Sequence, residues 1–135
     1  MNDRTLLELA AKAAKAAKAA GIELVDIKQR SDNPYSVASG KPWNPLTDDG
    51  DALRLAVKLG ISLESAAMIE IERFTFKGHT EGAYEHGVEA WQVLANPVRS
   101  IKEQELYKND PYAATRRAIV RAAAAIAEQG EEDGQ

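Results

Sequence analysis

The densest set of potential ligands in the chain is Asp48-Asp49-Gly50-Asp51, which follows Trp43 and Pro45 and leads into an apolar run. Three carboxylates this close together could hold a hard cation through oxygen. A calcium loop, however, needs ligands at alternating positions over about twelve residues and a closing bidentate glutamate. Here a helical pattern begins almost at once, so no metal is expected. With Asp48 as N-cap, Asp51 falls at the third helical position, where both acids satisfy free N–H groups and complement the positive end of the helix.

Arg116 supplies the opposite charge. On a helix drawn from residue 111, with Ile119 as reference, Tyr112, Val120, Ala123, Ile126 and Ala127 share the apolar face, and Arg116 falls inside it. A guanidinium there cannot shed its charge and must find a carboxylate or carbonyls. Asp49 or Asp51 is the expected partner, beside Trp43, so that loop 41–51 is locked against the C-terminal helix. The same group, Trp43, Asp49, Asp51 and Arg116, is the candidate ligand-binding site. In that version Trp43 stacks a planar group while Arg116 reads an anion or carbonyl.

His79 and His86 stand in HTEGAYEH with Glu81 and Glu85, types that can ligate zinc or exchange protons. Glycines at 78, 82 and 87 make this segment read as a flexible connection with exposed polar residues. No serine sits in a nucleophile elbow, no glycine-rich stretch forms a phosphate loop, and HExxH is absent. No catalytic residue is assigned and no cofactor is expected.

The elements that position these residues follow from periodicity. Residues 3–20 read as a helix, with Thr5 and Glu8 at capping-box spacing and Gly21 as the terminal cap. Leu6, Leu9, Ala10, Ala13, Ala17 and Ala20 make its inner face, and Lys12, Lys15 and Lys18 spread over a solvated one. Residues 22–29 read as a strand, and 30–47, broken by three prolines and Gly40, as an ordered loop with Tyr35 and Trp43 as anchors. A second helix spans about 49–59 and ends at Gly60. Leu53, Leu55, Ala56, Val57 and Leu59 give it a wide apolar arc, with Asp51, Arg54 and Lys58 outside, which predicts a central helix. AMIEIERFTF and VEAWQVL read as strands on either side of the loop KGHTEGAYEHG, and 98–107 as an edge strand. Asp110-Pro111 starts the last helix, expected to end near 128 before a disordered acidic tail, 129–135. The order predicts one α+β domain over 1–128, a small mostly antiparallel sheet of three to four strands packed with about three helices.

The chain has 135 residues, 17 basic and 21 acidic, for a net charge of −4, and no cysteine. Disulfides and thiolate chemistry are excluded, and a general polyanion binder is disfavoured. No leader and no membrane span is expected, which predicts a cytoplasmic protein.

Two blocks, Trp43-Asn44-Pro45-Leu46 with Asp48-Asp49-Gly50-Asp51-Ala52-Leu53-Arg54-Leu55-Ala56, and Ala113-Ala114-Thr115-Arg116-Arg117-Ala118-Ile119-Val120-Arg121-Ala122-Ala123, together resemble small bacteriophage and prophage proteins, distantly similar to the NinX-like group. The resemblance implies a phage accessory protein in the bacterial host cytoplasm and implies no activity. The reading that follows is a non-enzymatic protein that binds a host protein or small molecule, with interference with host defence as one role. The alternatives are a small enzyme built on Trp43, Asp49, Asp51 and Arg116, or a nucleic-acid-associated protein using Lys12, Lys15 and Lys18 or Arg117 and Arg121. A homodimer is left open.

Overall fold

The computed structural model describes residues 2–16, 23–24, 35–36, 42–92 and 100–133. Their elements run α1 (Asp3–Ala16), β1 (Glu23–Leu24), β2 (Tyr35–Ser36), α2 (Asp49–Leu59), β3 (Ser62–Phe76), β4 (His79–Gln92), β5 (Ile101–Leu106) and α3 (Pro111–Asp133). The fold is α+β, as expected. β3, β4 and β5 form an antiparallel sheet in that order, and β1 pairs with β2 in a separate antiparallel ribbon. Of the strand expected over 22–29 only Glu23–Leu24 is described, and Lys18 and Gly21 lie outside the described residues.

Asn2, not Thr5, caps α1. The backbone N–H of Thr5 donates to Asn2 Oδ1 at 2.8 Å, while Glu8, the other half of the expected box, pairs with Arg4. The buried face holds Leu6, Leu7, Ala10, Ala11, Ala13 and Ala14. Small side chains there let α1 lie close along α3, its main neighbour.

The central helix is α3 rather than α2. It touches α1, α2, β4 and β5, and its alanines at 114, 118, 122, 123, 124 and 127 are buried on several sides. Alanine permits such all-round approach without breaking the helix. α2 is one-sided: Ala52, Leu55, Ala56 and Leu59 are buried, whereas Leu53 and Val57 are 60% and 70% exposed. Its C-terminus closes as the sequence predicts, with Gly60 left-handed at φ 67° and the N–H of Ile61 reaching Ala56 O at 2.8 Å. α3 continues to Asp133, past residue 128, so the first residues assigned to the acidic tail are its last turn.

The segment KGHTEGAYEHG is strand, not loop. Only Lys77 and Gly78 turn the chain, with φ of 48° and 79°, the two positive values of a type I′ hairpin. Ladder pairing then runs from Phe76↔His79 down to Ser62↔Trp91, interrupted by two bulges. Gly87 serves close packing: a Cβ there would collide with the Glu105 carbonyl oxygen and the Ile69 side chain. Val88, Ala90 and Ile101 are buried on the face that α3 covers. Beyond Ile69 the two strands are exposed or half-buried, so residues 70–85 form a two-stranded arm.

Candidate functional site

The aspartates divide their work. Asp48 is the N-cap of α2, its Oδ1 accepting the N–H of Asp51 at 2.8 Å. Asp51, placed outside the apolar arc by its sequence pattern, is buried. Its Oδ2 accepts the N–H of Asn44 at 3.0 Å, and its Oδ1 accepts Arg54 at 2.8 Å. The Asn44 side chain accepts the N–H of Leu46, and its carbonyl accepts the N–H groups of Thr47 and Asp48. Loop 43–48 is therefore a closed hydrogen-bonded turn seated on the first turn of α2, with the Pro45 side chain fully buried beneath it.

Arg116 crosses from α3 to this loop. Its NH1 donates to Asp49 Oδ1 at 2.7 Å, and its Nε donates to the carbonyl of Leu46 at 2.8 Å. The structure thus brings Asp49 and Arg116 together, while Asp51 belongs to Asn44 and Arg54. Trp43 is 3% exposed and part of the core. Its ring lies within protein and offers no open face for a stacked ligand in this arrangement. What remains accessible is a shallow groove of about 300 Å³ between α2 and α3, with Arg116 and Asp49 at one end and Leu53, Leu63, Tyr112 and Ile119 on its walls.

The groove holds one ion pair, hydroxyls and hydrocarbon. Among the described residues that line it there is no activated nucleophile and no pair of carboxylates. The histidines do not form a centre either. His79 pairs with Phe76 at the tip of the arm and His86 with Met68 near its base. Seven residues apart on one strand, they are about 23 Å from each other on opposite faces. No group of three or more potential metal ligands gathers among the described residues. Lys12 and Lys15 are exposed on α1.

A second polar cluster escaped the sequence reading. Arg117 and Arg121, named from the sequence as candidate nucleic-acid contacts, reach across to β5 and α1. Arg117 pairs with Asp3 at 2.9 Å and Glu105 at 3.5 Å, and Arg121 with Glu103 at 2.9 Å and Glu105 at 3.1 Å. Burial pushes the Glu103 carboxyl above its usual range, Arg121 pulls it back in part, and Glu105 and Glu128 add to the upward push. The signal was legible: arginines four apart on a helix, glutamates two apart on a strand. These groups line a cavity of about 440 Å³, but the arginines and the β5 glutamates are already bound to one another.

No helix among the described residues is long and apolar enough to cross a membrane. Comparison with protein-family models, with characterised proteins and with solved structures returns no match.

Proposed function

We propose that the protein is a non-enzymatic accessory protein of the phage kind its two blocks resemble, acting in the cytoplasm of the bacterial host and binding a host protein through the groove between α2 and α3. The observation that carries this reading is the apolar rim of that groove. Leu53, Leu63 and Tyr112, the last 71% exposed, line the groove beside the Arg116–Asp49 pair instead of joining the core. Large side chains left in water around a rigid polar centre are the usual makings of a protein contact. Binding is favoured over catalysis because the polar groups are committed to holding the loop.

The test is a capture experiment from host lysate followed by titration of the purified captured protein. Leu53→Glu and Tyr112→Glu should abolish binding while leaving the melting temperature unchanged, since neither side chain is buried. Equal binding by both variants would refute the assignment of this face.

A further inference from the structure

The arm formed by residues 70–76 of β3 and 79–85 of β4 has no part in the groove and presents its own surface. β3 is the terminal strand of the sheet order, so its outer edge has no strand neighbour among the described residues. The ladder pairs Phe76 with His79 and Phe74 with Glu81, which puts both phenylalanines on one face. They are 68% and 45% exposed. Edge strands are normally protected by proline, a bulge, charged side chains or a covering element, and here the charges are of both signs, Glu72 with Arg73 and Lys77. Between Glu72 and Phe76 there is no proline and no register shift.

We infer that this edge pairs with the same edge of a second copy of the chain, antiparallel about a two-fold axis at Phe74. The register follows from the hairpin. A two-residue turn makes Phe76 and His79 a hydrogen-bonded pair, so Phe76, Phe74 and Glu72 direct their backbone groups towards β4, and Thr75 and Arg73 direct theirs outward. Antiparallel self-pairing across a two-fold must centre on a residue. Centring on Arg73 sets two arginines opposite each other. Centring on Thr75 sets Arg73 opposite Lys77. Centring on Phe74 sets Arg73 opposite Thr75, aligning the outward donors and acceptors. Phe74 then meets its twin in a close non-hydrogen-bonded pair. Glu72 falls opposite Phe76, whose ring lies 5.5 Å from the Lys77 ammonium, so each Lys77 gains a carboxylate across the junction.

Charge excludes the other common use of such an arm. Glu70, Glu72, Glu81 and Glu85 outnumber Arg73 and Lys77, which repels nucleic acid and anionic bilayers. Size sets the strength. At about 200 Å² per phenylalanine, the two rings leave about 230 Å² open on each chain, or about 450 Å² for the pair. Even with the paired backbone this is less than a standard interface buries, so the dimer is a weak one that forms only at high protein concentration.

The full chain contains no cysteine, which makes single-cysteine variants unambiguous. Under mild oxidation Phe74→Cys should form a disulfide-linked dimer at least about tenfold faster than Thr75→Cys, because only residue 74 meets itself within disulfide reach. In sedimentation equilibrium the wild type should show a monomer–dimer equilibrium that Phe76→Glu weakens by about tenfold or more, with an unchanged melting temperature showing that the variant is folded. A wild type that stays monomeric at about 0.5 mM overturns the proposal. So do equal cross-linking rates for the two cysteine variants, and so does a dimer that Phe76→Glu leaves intact.

Discussion

Arg116 tests whether a half-buried cation holds the 43–48 loop mainly through its visible ion pair or through a backbone carbonyl. Its side chain is 17% exposed, while that of Asp49 is 72% exposed. An ion pair with so exposed a partner is screened by water and contributes about 0.5 kcal/mol, and at most about 1. The bond from Nε to the Leu46 carbonyl is better shielded and has a charged donor, which places its loss at about 1.5–3 kcal/mol, including the acceptor left without a partner. Arg116→Ala should therefore destabilise by about 2–3 kcal/mol, a fall in Tm of about 6–12 °C for a chain of this size. Asp49→Ala removes the ion pair and a favourable charge in the first turn of α2, together worth about 1 kcal/mol. Arg116→Lys should fall between them, because one ammonium cannot serve both acceptors in fork geometry. Urea denaturation of the two single variants and the double variant gives the coupling directly. A coupling energy of about 2 kcal/mol or more, or an Asp49→Ala cost equal to that of Arg116→Ala, would refute the priority given to Leu46.

Asp51→Ala should cost about 2–3 kcal/mol in chemical denaturation, because a buried carboxylate loses Asn44 and Arg54 together, whereas Asp48→Ala loses only a cap worth about 1 kcal/mol. Gly87→Ala should cost about 2–3 kcal/mol, since the new methyl meets the Glu105 carbonyl oxygen, and thermal melting would register it. For Glu103 the native carboxyl binds its proton more tightly than the unfolded one, so stability falls as pH rises from the ordinary value of 4.5 through the raised one, and the ionised group remains a penalty above that window. Glu103→Gln should thus raise the Tm at neutral pH and flatten the profile just above 4.5; a lower Tm at neutral pH would mean the Arg121 pair outweighs burial.

Features set by a few neighbouring residues were legible in the sequence. Asp48 as a cap, Gly60 as a left-handed stop and Asp110 ahead of Pro111 each depend on local geometry, and each stands as expected. The Arg116–aspartate pair was legible for a different reason: a guanidinium on an apolar face forces an acceptor, and few acids were within reach. Its second acceptor was not legible, because the Leu46 carbonyl is backbone and carries no residue signature. The arm reads as a loop in the sequence because glycine has two meanings. At Gly78 it turns the chain, whereas at Gly87 it admits a neighbouring strand, and composition alone does not separate them. Trp43 and Asp51 were identified as special by type and neighbourhood, yet their burial assigns them to holding the loop. The five apolar residues of α2 predict a central helix, but Leu53 and Val57 stand uncovered.

That last error bears on function. Leu53 and Val57 on α2, and Phe74 and Phe76 on the arm, are large apolar side chains that the fold leaves exposed. The two surfaces differ in what backs them. Leu53 and Tyr112 stand on helices pinned by Asp51, Asn44 and Arg116, so a partner there meets a preformed face and binding orders little. The arm is rooted where Ala66 is held at φ 57°, its N–H donating to the Tyr107 hydroxyl at 2.6 Å, beside the shift in register between Glu64 and Ala67. The groove between α2 and α3 is lined on β3 by Leu63 and Ser65 alone, so self-pairing at residues 72–76 uses none of its lining residues. A dimer would carry two such grooves, and a host protein offering two copies of its own contact would be held with the gain in apparent affinity that bivalency brings.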